Sequence, residues 1–133
     1  MTTLLHRLPR TARTGMMAAG LAALAAVPAL AHHGWSWTDS GFFKLEGEIT
    51  AVYVGNPHAT MDVDAEGEIW RVELAPPSRT TATGFSEEIA APGKEVIAIG
   101  NRSQDEGERR MKAVRVTIDG TDYDVYPRRA SDI

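Results

Sequence analysis

Three histidines carry the most chemistry in this chain. With residues 1–31 set aside as a leader, His32 and His33 form a new amino terminus and His58 is the third. An amino-terminal histidine chelates through its α-amine and one ring nitrogen together, closing a ring on a metal ion. Both groups deprotonate readily, with ordinary values near 8 for the amine and about 6.5 for imidazole. A third nitrogen from His58 or His33 completes a nitrogen-only tetragonal or T-shaped set, which suits Cu(II). His32, His33 and His58 are therefore the expected metal ligands and copper the expected cofactor. The bland alternative is that His32 and His33 are polar residues of a terminus, and that His58, in the Asn56-Pro57-His58 turn, satisfies backbone groups.

The leader itself is legible. Arg7, Arg10 and Arg13 precede an apolar run from about Gly15 to Leu30, which ends in Ala29-Leu30-Ala31. That order is a secretory signal peptide with a small-residue cleavage site. The run is shorter than the roughly 20 residues a spanning helix needs. Cleavage between Ala31 and His32 is expected, giving a periplasmic or secreted protein with no transmembrane segment in the mature chain. Its removal takes three of the 14 basic residues and none of the 18 acidic ones, leaving 11 against 18, a net charge of −7. Nucleic-acid binding rests on neutralising phosphates with Lys and Arg, so an exported acidic domain is not expected to bind nucleic acid. The chain has no cysteine, which excludes thiol chemistry, thiolate metal sites and a lipid-modified amino terminus.

The elements that must position these histidines follow from alternation. Leu45, Ile49, Ala51 and Tyr53 fall on one face of a strand, with Glu46, Glu48 and Thr50 on the other. Gly55-Asn56-Pro57 ends it, and Asn56 is expected to hold the turn that presents His58. Ala59, Met61 and Val63 then face inward in a second strand, and Trp70, Val72 and Leu74 in a third. Pro76-Pro77 cannot continue a ladder, and Ser78 to Ala91 reads as one or two helical turns, with Ser86 as a cap for the second. Val96, Ile97 and Ile99 mark a fourth strand running to Gly100, and Met111 to Ile118 another. Asp119-Gly120 offers a tight turn into Tyr123 to Tyr126. Three strands, a short helical connector and two or three more strands is the order of an all-β, five-stranded Greek-key barrel of the OB type, with an antiparallel sandwich as runner-up.

The domains expected are the leader (1–31), an amino-terminal aromatic and histidine segment (32–44), the barrel (45–126) and a frayed tail (127–133). Strand 45–54 spans about 33 Å. The segment from Gly34 to Lys44 has similar reach if it folds back alongside, so that His32 meets His58. Trp35, Trp37, Phe42 and Phe43 give that segment apolar surface to dock, or Trp35 and Trp37, with Asn56, present a surface to a ligand or partner.

Two further motifs weigh less. Asp62, Asp64, Glu66, Gly67, Ile69 and Glu73 approach the calcium loop of an EF-hand, which must be flanked by helices. Strand alternation on both sides argues against that and leaves Asp62, Asp64 and Glu66 on a solvated face. Arg109, Arg110, Lys112 and Arg115 form a small basic cluster that offsets acidic neighbours. With no cysteine and one histidine inside the barrel, no Ser-His-Asp or Cys-His set is built, so no catalytic residues are expected.

The His32-His33-Gly34-Trp35 start, the Gly55-Asn56-Pro57-His58-Ala59 turn, the Glu73-Leu74-Ala75-Pro76-Pro77-Ser78-Arg79 stretch and Pro92-Gly93 together resemble a domain-of-unknown-function family of small exported bacterial proteins. The resemblance spans essentially the whole mature chain. It implies a periplasmic or secreted single domain and brings no activity; His32, His33 and His58 stand where that family's histidine motifs stand. The function expected is binding or delivery of copper, exchanged with a metal donor or acceptor of the envelope. The alternative is a non-enzymatic module binding an envelope protein or a saccharide, and the third reading is a copper-dependent redox enzyme. Intact mass of the exported protein should correspond to a chain beginning at His32; a retained leader would remove the amino-terminal chelate altogether.

Overall fold

The computed structural model describes residues 34–133. The elements are β1 (Phe43–Tyr53), β2 (Thr60–Ala65), β3 (Glu68–Glu73), α1 (Pro77–Ala82), β4 (Glu95–Arg102), β5 (Arg110–Ile118), β6 (Thr121–Asp124) and α2 (Pro127–Ala130). Strands pair in the order β3-β2-β1-β4-β5-β6, and β3 also pairs with β5. That last pairing is parallel, with Arg71 opposite Arg110, Val72 opposite Met111 and Glu73 opposite Lys112. It closes β1 to β5 into a barrel, and the other ladders are antiparallel. This is the five-stranded OB-type barrel, with the helical connector between β3 and β4; closure excludes the sandwich.

The second and third strands follow the sequence pattern. Met61, Val63, Trp70 and Val72 are buried, joined by Ala59 and Leu74 just outside the strands. Asp62 and Asp64 lie on β2, paired antiparallel with β3, so the segment that approached a calcium loop is a hairpin. Ser86 caps as expected, its Oγ accepting from Ile89 N at 3.2 Å. Asp119 (φ 50°) and Gly120 (φ 77°) both take the left-handed conformation that a two-residue hairpin turn requires.

The first strand departs from the expected faces. Leu45 and Ile49 are buried, but Ala51 is exposed and Tyr53 is 52% exposed. The register slips between Ile49 and Ala51, leaving Thr50 as an extra residue against β2. One extra residue flips every later side chain to the other face. Val52 and Val54 accordingly pack against the core in place of Ala51 and Tyr53. A second slip separates Ile99, opposite Arg115, from Gly100, opposite Ala113. Met111 and Ala113 before it, and Val116 and Ile118 after it, all reach the core.

Both ends of the domain also differ from expectation. The amino-terminal segment does not lie along β1. It bridges to the end of β4 and beyond, with Thr38 paired to Ser103, Asp39 N donating to Arg102 O at 2.8 Å and Gln104 N donating to Trp37 O at 3.0 Å. The residues after Pro127 do not fray but form α2. Pro127 sits in its first turn, where a fixed φ favours a helix. Ala130 is buried, and Tyr126 N donates to Val114 O at 3.2 Å.

Gly100 allows a close approach of two strands: a Cβ there would lie 2.0 Å from the carbonyl oxygen of Lys112. Gly100→Ala should therefore lower stability by about 1–3 kcal/mol, the usual cost of overpacking, read as a fall in the urea midpoint. Gly41→Ala, where a Cβ meets nothing within 4 Å, should stay within about 0.5 kcal/mol of the parent.

Candidate functional site

His58 sits in the connection between β1 and β2 and is half-buried. The peptide bond before Pro57 is cis. The residue after His58 ties the turn to the end of β3: Ala59 N donates to Ala75 O at 3.0 Å, and Leu74 N donates to Ala59 O at 2.8 Å. Because Ala59, Met61 and Val63 point inward, the alternation sends His58 and Thr60 toward the outside of the barrel. Asn56 contributes to this turn through its backbone, its carbonyl accepting from Tyr53 Oη at 3.3 Å. His32 and His33 lie outside the described residues, so their distance to His58 is not part of this geometry. Among the described residues, no group of three or more His, Asp or Glu side chains is arranged to hold a metal ion.

Next to this turn, the outer face of the β3–β5 seam is covered. Lys112 lies between the inward-facing Met111 and Ala113, hence on the outer face, yet it is fully buried. Its Nζ donates to Gly34 O at 3.2 Å and sits 4.9 Å from the centre of the Trp35 ring and 5.6 Å from that of Tyr126. Trp35 meets Tyr126 edge to face at 4.9 Å, and the Arg129 guanidinium lies 3.9 Å over the Trp35 ring. Trp37 is buried, with the Arg110 guanidinium 4.0 Å over its ring. Arg110 is itself held by Glu73, its Nε donating to Oε1 at 2.9 Å. Both tryptophans singled out as a partner surface are thus engaged inside the domain. A ring under a guanidinium has that face occupied, and Trp37 offers almost no open area.

Burial pushes the Lys112 ammonium below the ordinary lysine value; Glu73 pulls it back up, while Arg110 and Arg129 push it further down. Tyr126 is raised, chiefly by burial. The rest of the basic cluster behaves as expected of charges offsetting acidic neighbours. Arg109 pairs with Glu68 at 2.6 Å, Arg115 with Asp124 at 2.5 Å, and Arg110 with Glu73. Asp62 is likewise taken by Arg71 at 2.5 Å, and Asp64 Oδ1 accepts from Gly67 N at 2.9 Å.

Sequence reasoning missed the stack formed by Lys112, Trp35, Tyr126 and Arg129. Its one available signal was the pair of tryptophans ahead of the first strand, too apolar to be left in water. A single run from Leu45 to Tyr126 cannot say which outer face they cover.

A family match extends over residues 20–112, from the apolar run ahead of His32 to the buried Lys112 and including the His58 turn. The chain belongs to DUF6152, a family of unknown function. No curated protein matches it. Among solved structures it is similar to a chain of the S. pombe Stn1-ten1 complex, at 21% identity over 58% of this chain and 57% of that one, with a TM-score of 0.44. It is also similar to TiaS bound to tRNA, AMPCPP and agmatine, at 14% identity over 58% of this chain and 18% of that one, with a TM-score of 0.45. A ZRD-deleted TiaS in complex with agmatine matches at 14% identity over 63% of this chain and 26% of that one, with a TM-score of 0.47. The chain therefore spans little more than half of the first of these and about a quarter or less of the others. Among the described residues of this DUF6152 member, no helix is long and apolar enough to cross a membrane.

Lys112 gives this region a pH signature. With its value lowered on folding, the unfolded chain binds more protons between the folded value and the ordinary 10.5, so its contribution to stability rises with pH across that window. Below the window the charged, buried form carries its full cost. The unfolding free energy of the parent should therefore gain on that of Lys112→Met as pH rises toward 10.5. Tyr126, raised from 10.0, lowers stability only as pH passes that value, so the comparison is made below pH 10. A difference that is flat with pH would mean that the ammonium is as well solvated as in the unfolded chain.

Proposed function

We propose that the mature protein is exported and binds copper through its amino terminus. His32 chelates through its α-amine and ring, His58 supplies the third nitrogen and His33 is the alternative ligand. One observation carries this reading: Lys112 Nζ holds Gly34 O on the outer face of β5, next to the strand pair that ends at His58. Lys112 registers with Glu73 and Glu73 with Thr60, and His58 is two residues beyond Thr60. Adjacent strands lie about 4.8 Å apart, so Lys112 and Thr60 are roughly 10 Å apart across the sheet. The two residues before Gly34 reach about 7 Å along the backbone, and an imidazole adds to that. A His32 that turns from the anchored Gly34 toward β2 would approach the His58 turn by a route different from the one the sequence implied.

The chemistry of the donors supports Cu(II): three neutral nitrogens, no thiolate and no carboxylate in the set. A half-buried imidazole on a turn tied to β3 also loses less freedom on coordination than one in a loose loop. A single domain of this kind fits binding or delivery to another envelope protein. The alternative of an interaction module presenting Trp35 and Trp37 has less support, because those rings are engaged by Arg129, Lys112 and Arg110.

The test is Cu(II) competition titration with electron paramagnetic resonance on protein beginning at His32, on the same protein with one residue added ahead of it, and on His58→Ala. The added residue should cost orders of magnitude in affinity and change the spectrum, and His58→Ala should weaken binding substantially. Equal, weak binding by all three would make the histidines incidental.

A further inference from the structure

The distribution of charge points to a second site, independent of the histidines. Residues 34–133 contain 11 Lys and Arg and 18 Asp and Glu, so each cation has carboxylates to choose from. Six cations are in ion pairs: Lys44, Arg71, Lys94, Arg109, Arg110 and Arg115. Arg102 lies over the rings of Phe43 and Trp70, and Lys112 is held by Gly34 O. Arg79, Arg128 and Arg129 are left with no carboxylate in ion-pair range among the described residues. All three line one cleft of about 650 Å³, together with Tyr126. The one carboxylate on its wall, Asp124, is already engaged by Arg115, at 2.5 Å and 3.0 Å.

Scattered unpaired arginines are ordinary on a surface. Three in one cleft of an acidic domain repel each other, and an anion between them relieves that repulsion. Two are also partly oriented. The Arg79 guanidinium lies 5.4 Å from the centre of the Tyr126 ring, and that of Arg129 lies 3.9 Å from Trp35. A guanidinium stacked by its face keeps its in-plane N–H groups to donate, and that fork matches oxyanions.

We propose that this cleft binds a small dianionic oxyanion, a phosphate group either as the free ion or as a monoester. A single carboxylate has two oxygens and one charge for three guanidinium groups; phosphate offers two charges and enough oxygens for all three. Arg79 lies inside the family match, which ends at residue 112, and Tyr126, Arg128 and Arg129 lie beyond it. The site does not depend on copper, and its test reads separately from the metal titration.

Isothermal titration of the whole mature protein with inorganic phosphate, in about 0.15 M salt to screen nonspecific attraction, should show one-to-one binding in the millimolar range or tighter. Arg79→Gln combined with Arg128→Gln should weaken it at least tenfold. Both side chains are exposed, so the fold should persist, as circular dichroism would verify. Arg71→Gln, on an arginine outside the cleft and paired with Asp62, should leave binding unchanged, and acetate should not compete. No binding by the parent, or equal binding by the double variant, overturns the proposal. Vesicles containing phosphatidic acid then separate the two sources of the phosphate group. Co-sedimentation that free phosphate displaces, and that phosphatidylcholine vesicles do not support, identifies a lipid headgroup as the phosphate bound in the cleft. Phosphate binding without co-sedimentation identifies a soluble ion or monoester.

Discussion

The parallel pairing of β3 with β5 is the constraint on which the rest of this structure depends. It joins Arg71–Glu73 to Arg110–Lys112 across almost forty residues of chain, and it converts a curved sheet into a barrel with no open edge between those strands. It also sets charges side by side, with Arg71 opposite Arg110 and Glu73 opposite Lys112. Glu73 pairs with Arg110, and Lys112 beside it is covered by Trp35 and Tyr126. The amino-terminal segment and α2 meet over the outside of this seam because the seam presents a buried ammonium and the carbonyl of Val114, both needing partners.

Closing so small a barrel requires its strands to bend, and the two register slips supply the bends. At Thr50 the slip turns β1 over, so that Val52 and Val54 line the core while Tyr53 faces out above the His58 turn. In the β4–β5 ladder the slip falls between Ile99 and Gly100, and the missing side chain of Gly100 lets the two backbones approach. Each slip re-aims the residues beyond it. The binding chemistry proposed for this protein lies on the outer side of strands that the slips have set.

The cationic side of the domain gathers around α2, although the chain as a whole is acidic. Four of the eight arginines among the described residues are neutralised across strands, by Glu68, Glu73, Asp62 and Asp124, in partly exposed pairs that each contribute little to stability. Arg79 on α1 and Arg129 on α2 stack on aromatic rings instead. A guanidinium above Trp35 or Tyr126 is held without being neutralised, and that difference separates a structural ion pair from a group still able to receive an anion.

Much of the architecture was legible in the residues. Period-two patterns placed β2, β3 and β5, Pro76-Pro77 stopped the third strand, Asp119-Gly120 made the hairpin and Ser86 capped its turn, because each depends on local backbone chemistry. The barrel type followed from element order alone. The inward faces at the end of β1 were not legible, since one extra residue at Thr50 inverts the pattern and only the partner strand reveals it. Nor was the fate of the termini: Trp35 and Trp37 had to be buried somewhere, and Ala130 and Tyr126 had something to offer, but the surface they share exists only once β3 and β5 have paired. His58 was visible as a residue type, and its outward aim follows from strand alternation. Its neighbours, from Lys112 and the anchored Gly34 to the arginine cleft beyond, were decided by tertiary structure, because a lysine between two core residues reads as solvent-facing until another part of the chain covers it.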